Sequence, residues 1–139
     1  MATINLTKDT FEETILENDT VLVDFWAEWC GPCRAFAPVF EKLSEQHPDI
    51  VFGKVDTEAE QELAGYFQIR SIPTLMAFRE QIGVYSQPGA LPEDALADLI
   101  EQLNGLDMDE VRKEIEEHNH DDHDDHDHDH EEPVKEMVE

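Results

Sequence analysis

Two cysteines stand at positions 30 and 33, and the 139-residue chain has no others. They follow the apolar run Val21-Leu22-Val23-Asp24-Phe25-Trp26 and are separated by Gly31-Pro32. A strand that passes into a helix through Cys-x-x-Cys builds a dithiol able to close into a small, reversible disulfide. The same spacing also serves zinc, but a closed structural zinc site needs four ligands. There is no second cysteine pair, and His47 is the sole histidine before residue 118. Redox exchange is therefore the expected chemistry, with a structural disulfide or half of a metal site as the alternatives.

Several side chains are candidates to serve that dithiol. Asp24 is flanked by Val23 and Phe25 on a strand that reads as covered on both faces, so desolvation should raise its pKa. An aspartate satisfied by backbone or water is the plainer reading. Cys30, at the start of a helix, would meet unpaired N–H groups and the positive end of the macrodipole, both favouring a thiolate. Cys33, one turn further in, would attack Cys30 second; taken alone it is also a small buried hydrophobe. No cation lies between the two cysteines, which favours a reductant over a strong oxidant.

The elements that must hold these groups are legible in outline. A short strand over residues 3–6 precedes a helix capped by Thr7, with Phe11 and Ile15 one turn apart. The central strand over 21–26 leads into a helix striped by Phe36, Val39, Phe40 and Leu43, with Pro38 inside it. A strand over 50–55, a short helix over 59–67 and an antiparallel pair over 74–78 and 82–86 follow. The last helix of the domain starts at Pro92, carries Leu96, Leu99, Ile100 and Leu103, and stops at Asn104-Gly105. This βαβαβαββα order predicts an α/β sandwich with right-handed crossovers between its parallel strands.

Charge divides the chain. Residues 1–104 carry 19 acids and 6 bases, and residues 105–139 carry 16 acids and 3 bases, out of a net charge of −26. Such a chain is excluded from ordinary nucleic-acid binding and disfavoured at anionic membranes. We therefore expect a domain over 1–104, an amphipathic helical extension or linker over 105–117 (Leu106, Met108, Val111, Ile115), and a disordered acidic tail over 118–139. The start has neither a basic n-region nor an apolar h-region, so a cytoplasmic location is expected. Six tail histidines, His118, His120, His123, His126, His128 and His130, alternate with carboxylates. They suit several weak, exchanging sites for zinc, nickel, cobalt or Cu(II); the alternative is a solvated acidic bristle that aids solubility.

Asp24-Phe25-Trp26-Ala27-Glu28-Trp29-Cys30-Gly31-Pro32-Cys33 together with Ile72-Pro73-Thr74 resembles the thioredoxin family from about residue 3 to 104. The resemblance implies a thioredoxin fold, with a mixed sheet of about five strands flanked by four helices. It implies protein-disulfide reduction through a mixed disulfide, with no cofactor beyond the Cys30–Cys33 pair. An NADPH-dependent flavoprotein, thioredoxin reductase, would recharge a monomeric protein that spends its electrons on client disulfides. By the same resemblance Asp24 relays a proton to Cys33 through water and Lys54 approaches that aspartate. Trp29, Gly31, Pro32, Ile72, Pro73 and Gly89 would form the substrate rim, with the bond before Pro73 cis. The alternative function is a metal-binding or client-holding protein that uses the fold as a platform. Departures from the family are Arg79-Glu80-Gln81 where an Asn-Gly turn is common, which should change the turn type; Pro88 directly before the rim glycine; and Arg34 in place of lysine.

Overall fold

The computed structural model describes residues 2–122. Its elements are β1 (Thr3–Asn5), α1 (Lys8–Glu17), β2 (Thr20–Trp26), α2 (Gly31–Gln46), β3 (Val51–Asp56), α3 (Gln61–Tyr66), β4 (Thr74–Arg79), β5 (Ile82–Pro88), α4 (Glu93–Asn104) and α5 (Met108–Asp122). The five strands lie in the order β1-β3-β2-β4-β5. β1, β3 and β2 run parallel, and β4 and β5 antiparallel to their neighbours.

Alternation along β2 sorts the chain into layers, because successive side chains point to opposite faces. Val21, Val23 and Phe25 pack with Phe11 and Ile15 of α1, Leu63 of α3 and Met76 and Phe78 of β4. Leu22 packs on the other side, with Phe36, Phe40 and Leu43 of α2, Phe52 and Leu75 of the sheet, and Leu96, Ile100 and Leu103 of α4. The sheet is thus sandwiched between α1 with α3 and α2 with α4. Asp24 and Trp26 share the second face with Leu22, beneath the start of α2.

Local chemistry sets the helix limits. Thr7 caps α1, its N–H donating to Thr10 Oγ1 at 3.0 Å. Pro92, in extended conformation, is the residue before α4 rather than its first turn, and Glu93 and Asp94 place negative charge at that helix start. Pro38 lies inside α2 without ending it.

Three expectations change. The helices number five among the described residues rather than four, because the extension is itself the helix α5. The expected start of disorder at residue 118 falls inside α5, which runs to Asp122. Met108 is buried and Leu106 packs on the α2–α4 core, so the helix is nucleated on the domain, and each further residue adds a hydrogen bond at little cost. The remainder of the expected tail, with His123, His126, His128 and His130, lies outside the described residues.

The third concerns the hairpin. Arg79 pairs with Ile82, leaving a two-residue turn at Glu80 and Gln81 with φ of 50° and 73°. Both central residues are at positive φ, as the primed turn that Asn-Gly favours requires. The turn type is therefore kept, and the strain is met by contacts instead. Glu80 N–H donates to Asp19 O at 2.7 Å, and Gln81 Nε2 donates to Leu16 O at 3.3 Å. Arg112 of α5 reaches Glu80 Oε1 at 2.6 Å, and buried Arg79 bonds the Leu103 carbonyl and faces Asp19.

Candidate active site

Cys30 is the N-cap of α2, in extended conformation, and Pro32 occupies the first turn, where a missing N–H costs nothing. Cys33 N–H donates to Cys30 Sγ at 3.2 Å, so the sulfur fills the place that a capping oxygen usually takes. Its thiolate would be held by that N–H and by the helix dipole. The two cysteines form a disulfide with Cα atoms 5.2 Å apart. Cys30 and Cys33 are 4% and 2% exposed, while Gly31 and Pro32 between them are exposed. The pair sits at the surface beneath a thin cover.

The expected rim is assembled around it. The Ile72–Pro73 bond is cis, and Ile72 O lies 3.7 Å from Cys30 Sγ. Ile72 is half-buried and packs on the cysteines, whereas Pro73 is buried. Gly89 N–H donates to Pro73 O at 2.8 Å, and Gly89 has φ of +108°, a conformation that favours glycine. Trp29 is 66% exposed. Its indole N–H donates to Glu58 Oε2 at 3.1 Å. Sequence reasoning did not single out Glu58. Arg34 Nη1 donates to Glu28 O at 2.7 Å, bracing the loop before the cysteines.

Beneath the disulfide, Asp24 is fully buried and neither carboxylate oxygen has a hydrogen-bond partner in the protein. Its sheet neighbours at the same level are Lys54 on β3 and Leu75 on β4. Burial pushes its pKa from 3.8 up to about 7, and the Lys54 charge pulls it partly back. The reading of Asp24 as an aspartate satisfied by backbone does not hold. Lys54 does approach, but its ammonium lies 4.8 Å from the centroid of the Trp26 ring. Trp26 in turn packs on Ala27, Cys30 and Cys33. Trp26 escaped the sequence reading as a site residue; its place two residues after Asp24, on the same strand face, was the available signal.

A disulfide at a helix N-terminus, opposite a cis-proline and above a buried carboxylate, can exchange electrons with another disulfide and move a proton. The family model described as thioredoxin matches residues 2–102. The chain belongs to the thioredoxin family. It is 62% identical over 116 residues to the putative thioredoxin 2 of Streptomyces coelicolor, covering 84% of this chain and 87% of that one. That share exceeds residues 1–104, so the likeness takes in part of the extension. Thioredoxin 1 of Synechococcus elongatus is 43% identical over 99 residues, 70% of this chain and 92% of its own. Among solved structures, a mutant thioredoxin from Halobacterium salinarum superposes with a TM-score of 0.69 at 38% identity, over 76% of this chain and 92% of that one.

Like its thioredoxin relatives, the protein is a thiol-disulfide oxidoreductase built on a five-stranded mixed sheet, with chemistry that resides in a cysteine pair. Thioredoxins as a family work with thioredoxin reductase and with disulfide clients. Among the described residues no helix is long and apolar enough to cross a membrane, and no group of three or more His, Cys, Asp or Glu is arranged to hold a metal ion. His118 and His120 fall within α5.

Proposed function

We propose that this thioredoxin runs as a reductant of protein disulfides, with Cys30 as the attacking sulfur and Cys33 as the resolving one. Thioredoxin reductase, an NADPH-dependent flavoprotein, supplies two electrons and two protons to the Cys30–Cys33 disulfide. The Cys30 thiolate then attacks one sulfur of a client disulfide; a Cys30–client bond forms and the client's other sulfur leaves as a thiolate. Asp24 takes the proton from Cys33, whose thiolate attacks Cys30 Sγ. The Cys30–Cys33 bond closes and the second client thiolate leaves, so each cycle reduces one client disulfide and oxidises one dithiol. Trp29, Gly31, Pro32, Ile72 and Gly89 offer the docking rim, with Pro73 as the buried strut behind it.

The observation that carries this reading is Cys33 N–H pointing at Cys30 Sγ at the first turn of α2, a donor ready for a sulfur anion. The test is insulin reduction by the reductase-coupled protein, together with a Cys33→Ser variant. The variant should accumulate Cys30-linked mixed disulfides; wild-type turnover by that variant, with no trapped client, would refute the assignment. A protein that only holds clients on this fold would keep its partners when both cysteines are replaced by serine.

The acidic surface favours a monomer and clients with basic docking patches. The cytoplasm, where thiol pools keep such a pair reduced, is the compartment we assign. For the tail we propose a solvated acidic bristle. Zinc, nickel, cobalt or Cu(II) would bind His118, His120, His123, His126, His128 and His130 only at weak, exchanging sites. Zinc calorimetry on the full chain, with and without those six histidines replaced by alanine, separates the readings. Loss of a tight zinc event on replacement would overturn the bristle.

A further inference from the structure

Lys54 and Asp24 are register partners on β3 and β2, so their side chains leave neighbouring backbones on the same face of the sheet. A flexible ammonium beside a buried, unpartnered carboxylate should close onto it, since opposite charges attract strongly where water is excluded. It does not close here. The ammonium stands over the Trp26 ring at 4.8 Å from its centroid, and both Asp24 oxygens remain without a partner. A cation over an indole face is attracted by the ring quadrupole, most strongly where water is partly excluded. Trp26 is half-buried and packed on the disulfide, so its ring has little freedom to move away.

We propose that Trp26 is a positioning residue that holds the Lys54 ammonium over its face and off Asp24, keeping that carboxylate basic enough to accept the Cys33 proton. The inference rests on Asp24 acting as the base in resolution. It adds a reason why a lysine next to that base does not disable it. Lys54 is the charged group that acts on Asp24. On the other flank β4 presents Leu75, and Cys33 belongs to the α2 layer above. Glu41, the half-buried carboxylate of α2, accepts from Thr3 Oγ1 on the edge strand at 2.8 Å through Oε1, while its Oε2 is buried without a partner. Removing the ring should therefore release one cation, and the place for it to go is the orphaned carboxylate.

The experiment follows the Asp24 carboxyl titration by carbon-13 NMR in the full-length protein. Wild type, Trp26→Leu, Lys54→Met and the double variant form a cycle. Trp26→Leu should lower the Asp24 pKa by about one unit, the low end for a cation brought within contact distance. In the Lys54→Met background the same substitution should have no effect. Trp26→Phe, which keeps an aromatic face, should restore most of the wild-type value. A Trp26→Leu value unchanged or raised, or an equal fall with Lys54 absent, overturns the proposal. Should the leucine variant not fold, Trp26→Phe completes the same cycle with a smaller shift. Client turnover in Asp24→Asn tests the base separately, so its failure is distinguishable from failure of the titration cycle.

Discussion

Asp24 is the residue whose environment conflicts most with stability. Its folded pKa of about 7 lies above the unfolded 3.8, so the folded state binds the proton more tightly. Below pH 3.8 both states are protonated and nothing is lost. As pH rises towards 7 the unfolded chain gains ionisation that the folded one resists, and above 7 a constant penalty of roughly 4 kcal/mol remains. The stability change caused by Asp24→Ala should therefore be more favourable by about 3 kcal/mol at about pH 8.5 than at about pH 4.5, because packing changes cancel in that difference. Urea unfolding at both pH values measures it, and an equal effect at both would show that burial does not penalise this charge. The same variant should slow resolution of the mixed disulfide, read as longer-lived client adducts in rapid quench. At this scale the sequence was informative about residue types: Cys30, Cys33, Asp24, Trp29 and the proline at 73 were all legible. Their partners were not, since Trp29 with Glu58 and Lys54 with Trp26 meet through the fold, and only the latter pair left a trace in strand alternation.

At the scale of elements, the β4–β5 turn and α5 act together. Glu80 and Gln81 hold positive φ without being glycine or asparagine, at a cost of order 1 kcal/mol each. Replacing them with Asn-Gly should raise stability by about 1 kcal/mol in chemical denaturation. A loss would mean that the Arg112–Glu80 and Gln81–Leu16 contacts outweigh the strain. Arg112→Ala should change global stability little, since the pair is open to solvent and screened. It should nonetheless speed amide exchange along α5 before the rest of the domain, and exchange unchanged in α5 would show that Met108 and Leu106 suffice to dock it. The sandwich itself was readable because each strand and helix repeats its apolar residues at its own period. The turn was misjudged for a physical reason: Arg79-Glu80-Gln81 shows no turn chemistry, and the conformation is imposed by strand register and long-range contacts. The reach of α5 was underestimated because composition alone argues for disorder, while a docked first turn lets a helix propagate through polar sequence.

For the whole molecule, net charge shapes behaviour more than any single surface contact. With 35 acidic and 9 basic residues, self-repulsion outweighs the few exposed ion pairs such as Lys8–Glu62 and Lys42–Glu93. Moderate salt should therefore raise the melting temperature, and a fall would mean that those pairs matter more than net charge. The break in charge density near residue 105 coincides with the end of α4. What a break in composition cannot report is contact across it. Leu106 packs on the α2–α4 core and Met108 is buried, so the boundary is chemical rather than mechanical.

Disulfide exchange by this protein depends first on the sulfur at the tip of α2. Titrating the reduced protein through its thiolate absorbance, with alkylation rate measured alongside, tests it most directly. Cys30 should ionise well below the value of about 8.5 for free cysteine and react ahead of Cys33. An ordinary pKa together with an inert Cys30 would contradict the reading of this site as a reductant.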